Sequence, residues 1–254
     1  MKTREQIKQE LYDLLFNQAE ILAVWEGGSA ATGYLDEFSD LDLAIICSDD
    51  AVEKVFATLE NFLKSFYGII KKFRLPEPTW HGFSQCYYQL DQVPELFYLD
   101  VGVLKKSLPD KFTESNRHGN AVVWFQKEEI LNTAPAPPEK VRDKGRQFIN
   151  NVTNTDFIAI LEIKKALARH NFCDAFQIYY QFVNRNLGPL LNLKYCPAKV
   201  DFGFAYTSRE YAQADADLIN NAFCVLSLEE LKQKYVQVHR RYLELVEELS
   251  PDWM

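Results

Sequence analysis

Residues 25–43 read Trp-Glu-Gly-Gly-Ser-Ala-Ala-Thr-Gly-Tyr-Leu-Asp-Glu-Phe-Ser-Asp-Leu-Asp-Leu, and this stretch holds the residue types that could do chemistry. Gly27, Gly28 and Ser29 close a short apolar run. A turn of small residues leaves its backbone N–H groups open, and where it leads into a helix it can cradle a phosphate. Asp40 and Asp42 then open the next apolar run. Strand alternation puts the two on one face, about 7 Å apart. Carboxylates so placed repel each other unless a cation sits between them. Mg²⁺ is held by one or two carboxylates together with substrate phosphates and water. A phosphate cradle beside a carboxylate pair is therefore equipment for metal-assisted phosphoryl or nucleotidyl transfer. A third acid, Asp100, stands in the middle of the apolar run Leu96-Phe97-Tyr98-Leu99-Asp100-Val101-Gly102-Val103-Leu104. A lone acid there is costly unless paired or metal-bound, so packing does not explain it. A Gly-Gly-Ser alone is usually a turn, and an Asp-x-Asp alone is usually a solvated strand start. The conjunction of order, spacing and strand context singles out the set.

The elements that must position these residues follow from periodicity. Ile7, Leu11, Leu14 and Leu15 recur at helical spacing within 3–20, with Thr3 as N-cap. Ile21–Trp25 and Leu41–Cys47 read as strands, the second apolar on both faces as in a buried strand. Asp49 or Asp50 can cap a helix running to Phe66. Residues 68–74, 83–90, 96–104 and 121–126 read as further strands. Three prolines in 135–138 break the pattern and mark a boundary. Beyond it the pattern is helical over 139–151, 156–170, 172–187, 208–223 and 227–249. The expected architecture is α+β. An α+β unit (1–133), with a mixed β-sheet and flanking helices, precedes a C-terminal α-helical bundle (134–254).

The charge divides at the same place. Residues 1–133 hold 13 Lys/Arg against 21 Asp/Glu, net −8, whereas residues 134–254 hold 15 of each. Within 139–199 the count is 10 basic to 5 acidic. Lys140, Lys144, Lys164, Lys165 and Arg169 recur near helical spacing there. Each alone reads first as a solvated position, and together they make a basic wall able to hold a triphosphate beside an acidic domain. Arg74 is a further candidate.

The segment Gly27–Leu43 resembles the Gly-Ser…Asp-x-Asp signature of the DNA polymerase β-type nucleotidyltransferase superfamily, with Asp100 as the third carboxylate on a later strand. The likeness covers roughly residues 20–105. The helical half is similar in arrangement to small bacterial nucleotidyltransferases of the aminoglycoside type, without a specific motif. The resemblance implies that Gly28 and Ser29 hold the triphosphate; from the basic wall, Lys164 and Lys165 are the further nucleotide-binding candidates. It implies that Asp40, Asp42 and Asp100 are catalytic and hold Mg²⁺, as two ions, with Asp100 a candidate base. It implies AMP transfer from ATP, or from another nucleoside triphosphate, to a hydroxyl of a small-molecule acceptor such as an aminoglycoside-like antibiotic. Pyrophosphate is released, and the helical domain binds the acceptor and closes the cleft. The sequence departs from compact antitoxin-type members, which often carry an Arg just after Gly-Ser where this chain has Ala30, Ala31 and Thr32. Some aminoglycoside enzymes use a separate Glu as base, and Glu95 and Glu162 are weak candidates.

Composition bounds the alternatives. With 254 residues, 47% hydrophobic and 25% charged, the chain is globular in make-up, which excludes disordered and fibrous classes. A net charge of −8 disfavours duplex nucleic acid and anionic membrane as partners. No signal peptide or apolar span is read, and a cytoplasmic location is expected. Five scattered cysteines read as reduced core thiols. The four histidines form no metal motif and read as surface or core residues. Trp80–Phe83, Tyr87 and Tyr88 read first as packing and second as an acceptor wall, and the dense segment 195–206 could touch acceptor or base. Two other readings remain open: adenylylation of a protein acceptor, regulatory or antitoxin-type, and a nucleotide-binding regulatory protein without turnover. The sequence does not set the oligomeric state.

Overall fold

The structure, a computed structural model, describes residues 2–253. The chain divides between Pro135 and Ala136 into two compact units. The first is α+β. Its order is α1 (Arg4–Phe16), β1 (Ile21–Glu26), α2 (Gly28–Thr32), β2 (Leu41–Cys47), α3 (Val52–Phe66), β3 (Ile69–Arg74), β4 (Ser84–Leu90), β5 (Leu99–Lys105), α4 (Ser115–His118) and β6 (Val122–Gln126). The six strands form one mixed sheet in the order β3-β4-β5-β2-β1-β6. Only β2 and β5 pair in parallel; the other neighbours are antiparallel.

Local chemistry accounts for the elements. Thr3 and Gln6 form a reciprocal capping box at the start of α1, which turns Ile7, Leu11 and Leu15 into the core. On β2, Leu41, Leu43 and Ile45 join the main core cluster with Leu99, Val101 and Val103 of β5. The alternate positions Ile46 and Leu104 fall in a smaller cluster with Leu22, Ala23 and Trp25. Helix α3 differs at its start from the expectation. It begins at Val52 after Ala51, with no side-chain cap. Asp49 instead accepts from the Ser107 backbone N–H at 2.9 Å, tying the ends of β2 and β5 together.

The second unit is helical, with α5 (Pro138–Ala168), α6 (Phe172–Phe182), α7 (Gly188–Tyr195), α8 (Thr207–Glu210), α9 (Gln213–Ala222) and α10 (Leu228–Trp253). The expected break at 152–155 is absent, and α5 runs through it. Thr153 and Thr155 each donate to the carbonyl four residues back, Ile149 at 2.9 Å and Asn151 at 2.8 Å, so these polar side chains are absorbed by the helix. A π-helical turn, Val183–Leu187, joins α6 to α7. Pro189 follows it, and a residue without an N–H explains why the regular ladder shifts there. The helix expected over 208–223 is two helices, α8 and α9. Asn192 organises the dense segment after α7: its amide donates to Gly203 O at 2.8 Å and its oxygen accepts from Tyr211 at 2.8 Å. All five cysteines are free, but Cys173 and Cys224 are exposed rather than core thiols. Among the described residues no helix is long and apolar enough to cross a membrane.

Candidate active site

Parallel register builds the site. Leu41 lies opposite Leu99, Asp42 opposite Asp100, and Leu43 opposite Val101. The apolar members face the core, so Asp42 and Asp100 stand side by side on the other face of the sheet. Asp40 precedes β2 by one residue and interacts electrostatically with both. The three predicted carboxylates are thus neighbours. Among the described residues no three acidic, histidine or cysteine side chains already converge as a complete metal cluster.

The electrostatics set this group apart. Asp42 is pushed up to about 7, first by burial and then by the charges of Asp40 and Asp100. Asp100 is pushed up to about 6, again by burial, although a hydrogen bond from Gln85 works the other way. The Gln85 amide nitrogen lies 2.8 and 2.9 Å from the two Asp100 oxygens. The Tyr98 hydroxyl is hydrogen-bonded to Asp40, and that bond, followed by burial, raises its pKa. The nearby cation is Arg4, from α1. Its guanidinium pairs with the fully buried Glu26 at the end of β1, and its Nε donates to the Asp40 carbonyl at 3.2 Å. Lys8 adds to the Glu26 pair at 3.3 Å. Arg4 also pulls Asp42 down electrostatically, but burial and the like charges outweigh it and the carboxylates stay undercompensated.

The Gly-Gly-Ser turn abuts the acids directly. The Gly27 N–H donates to Asp42 O at 2.9 Å. Gly28 has φ +51°, and a Cβ built on it would lie 1.6 Å from an Asp42 carboxylate oxygen. Only glycine serves there: the backbone conformation and the approach of the carboxylate both forbid a side chain. Ser29 follows on α2, and its hydroxyl is buried without a hydrogen-bond partner. A buried donor left open beside a bare backbone turn is the polar group a bound phosphate oxygen would satisfy. The turn is braced by Gly119, whose backbone passes so close to Ala31 that an added Cβ would lie 2.5 Å from its carbonyl oxygen, and by Asn120 N–H bonding that oxygen at 2.7 Å.

Other candidates are exposed or engaged. Lys164 and Lys165 stand exposed on α5 of the second unit, where Lys165 pairs with Glu162 at 2.6 Å. Lys144 pairs with Asp201 at 2.7 Å. Arg74 is held by Glu53 and Glu77 and lies over the Phe56 ring. Glu95 is exposed. Tyr88 is fully buried and bonds Glu60, whereas Tyr87 pairs across the sheet with Asp100. The residues that sequence reasoning missed are Arg4, Glu26, Gln85 and Tyr98. Glu26 alone left a signal, an acid closing an otherwise wholly apolar strand; the others reach the site only through tertiary pairing.

No protein-family model matches the sequence, and no curated protein matches it. Among solved structures the chain is similar to a nucleotidyltransferase-like protein from Exiguobacterium sibiricum 255-15. The identity is 12%, covering 96% of this chain and 75% of that one, with a TM-score of 0.40. It is also similar to the spectinomycin adenyltransferase AAD(9) from Enterococcus faecialis, solved with ATP and spectinomycin. There the identity is 11%, covering 98% of this chain and all of that one, with a TM-score of 0.35. At these values the chemistry of the site is read from its own residues.

Proposed function

We propose that this protein is a nucleotidyltransferase that moves a nucleoside monophosphate, AMP from ATP, to a hydroxyl of a small molecule. The observation that carries the reading is the undercompensated carboxylate group, Asp42 beside Asp100 with Asp40 adjoining, packed against a glycine turn that has no room for a side chain. Folding stability gains nothing from such a group, and polyanion transfer needs one.

The residues divide the work. The Gly28 backbone and the Ser29 hydroxyl bind the triphosphate. Asp40, Asp42 and Asp100 would hold Mg²⁺, which when bound neutralises phosphate charge and lets the polyanion approach three acids. Asp100 takes the proton of the acceptor hydroxyl. The acceptor oxygen forms its bond to the α-phosphorus as the bond to the bridging oxygen breaks, and pyrophosphate leaves with that electron pair. Arg4 fixes the Asp40 backbone, and Tyr98 orients the Asp40 side chain. A net charge of −8 favours a cationic acceptor such as an aminoglycoside-like antibiotic.

The test is pyrophosphate release from ATP with Mg²⁺ across a panel of aminoglycosides and lincosamides, with Asp42→Ala as control. Acceptor-dependent release that disappears in the variant is the expected result. ATP binding without release from any panel member would overturn the antibiotic acceptor and turn the search to protein or other metabolite hydroxyls. Absence of Mg²⁺-dependent ATP and GTP binding would overturn the site itself.

A further inference from the structure

The Asp100 carboxylate is gripped from one side by a chain of contacts that begins outside the site. Asp100 and Gly102 lie on the same face of β5, and Gly102 pairs across the sheet with Gln85 of β4. The bare Gly102 lets the Phe83 ring lie over it; a Cβ there would approach that ring to 3.0 Å. Phe83 in turn carries the His81 imidazole, stacked at 3.6 Å between centroids and 27° between planes. The His81 Nε2 is 3.1 Å from Gln85 Oε1, and the Gln85 amide nitrogen reaches both oxygens of Asp100.

Proton positions along this chain follow from its two ends. The Gln85 amide nitrogen faces the Asp100 carboxylate, so its oxygen faces His81 Nε2 and that nitrogen carries a proton; Nδ1 lies 3.3 Å from the Phe83 backbone N–H and 3.2 Å from the Thr79 hydroxyl oxygen. That proton needs an acceptor, and Gln85 Oε1 provides it. The amide is then fixed with its NH₂ toward Asp100. Flipping it would set its carbonyl against the carboxylate and leave the His81 N–H facing another donor. The Thr79 hydroxyl donates to Phe83 O at 2.6 Å and closes the turn that presents His81.

The geometry points to Gln85 and His81 as positioning residues for Asp100: the His81 Nε2–H locks the Gln85 amide, and the locked amide holds the carboxylate in the rotamer that faces the metal and acceptor. The inference rests on the reading of Asp100 given above. Burial pulls the His81 pKa below its ordinary value, while the Gln85 hydrogen bond works the other way. Metal-binding carboxylates depend on such outer partners for orientation, and losing one typically weakens metal binding about tenfold to a hundredfold.

The test uses the full chain with Mn²⁺ as the probe, its affinity in the presence of ATP read by calorimetry or spin resonance. The variants are Gln85→Met, which keeps length but loses the amide; His81→Phe, which keeps the stacked ring but loses the N–H; their double; and Asp42→Asn. Each single variant at position 81 or 85 is expected to weaken Mn²⁺ binding about tenfold. The double should be no weaker than Gln85→Met alone, because His81 acts through Gln85. Ring nitrogen resonances of the unmutated protein should show the proton on Nε2, a readout that requires no variant to fold. A proton on Nδ1 alone, or wild-type Mn²⁺ affinity in both single variants while Asp42→Asn abolishes it, would overturn the positioning role alone. Unchanged Mn²⁺ affinity in Asp42→Asn would overturn the site on which the role depends.

Discussion

Asp42→Asn should stabilise this protein and disable it at the same time. Asp42 is held near pKa 7 in the folded chain, against an ordinary 3.8. Between those values the folded state binds a proton that the unfolded state has released, so stability falls as pH rises through that window. Below about pH 4 the carboxyl is protonated in both states, and no penalty exists. Above about pH 7 the full penalty applies, about 4 kcal/mol at roughly 1.36 kcal/mol per pH unit of separation. Water reaches part of this side chain and screens it, which brings the expected gain of the isosteric amide to about 2–4 kcal/mol. The assay is urea unfolding in metal-free buffer near pH 8 and again near pH 4, read by amide exchange in β1 and β2 so that the first unit is followed by itself. The variant should be the more stable at the higher pH and equal to wild type at the lower. Mg²⁺ with ATP at a hundredfold excess over Kd should add about 2.7 kcal/mol to wild type and nothing to the variant. A variant no more stable than wild type near pH 8, or a gain that persists unchanged near pH 4, would refute the claim that burial and like charge strain this carboxylate.

Other perturbations probe the supports. Gly28→Ala combines a left-handed backbone, costing about 1–2 kcal/mol in a residue with a Cβ, with displacement of the Asp42 carboxylate it would strike at 1.6 Å; calorimetry should show Mg²⁺-dependent ATP binding lost. Ser29→Ala removes an unpartnered hydroxyl, so the melting temperature without ligand should hold or rise while ATP affinity falls severalfold, measured by titration. In the second unit, Asp215 accepts from Arg241 at 2.7 and 2.8 Å and from Tyr195 at 2.7 Å. Asp215→Ala removes these charge-assisted bonds while Arg241 keeps Glu244 at 3.2 Å, so it should cost that unit about 2 kcal/mol, seen as earlier loss of amide protection in α7, α9 and α10.

What the sequence made legible was whatever period and composition determine locally. The Asp-x-Asp spacing and the placement of Asp100 in an apolar run pointed to carboxylates on one sheet face, because a strand's alternation is independent of its partners. The Thr3 cap was legible because its box closes within four residues. The α5 helix was misjudged at Thr153–Thr155 because threonine hydroxyls can satisfy themselves on the helix's own carbonyls, which composition does not reveal. His81 read as a core or surface residue because its partner Gln85 becomes a neighbour only after Gly82 turns the chain. Arg4 carried no signal at all: 36 residues separate it from the Asp40 carbonyl it holds.

Two requirements meet on β2, and its alternation satisfies both. Leu41, Leu43 and Ile45 are buried against Leu99, Val101 and Val103, and this apolar pairing fixes the β2–β5 register. A slip of one residue would send the leucines to the open face and Asp42 into the core, a change no small electrostatic gain could offset. The register that protects the core therefore also forces Asp42 and Asp100 side by side, against their mutual repulsion. Arg4 relieves only part of that repulsion, its guanidinium being paired with Glu26, and Asp42 stays raised. The cost falls on a strand anchored on its opposite face, where the apolar pairing is able to carry it. Under the proposed function a divalent cation with a triphosphate is the partner expected to relieve the strain, which would make substrate binding and local stability one linked equilibrium.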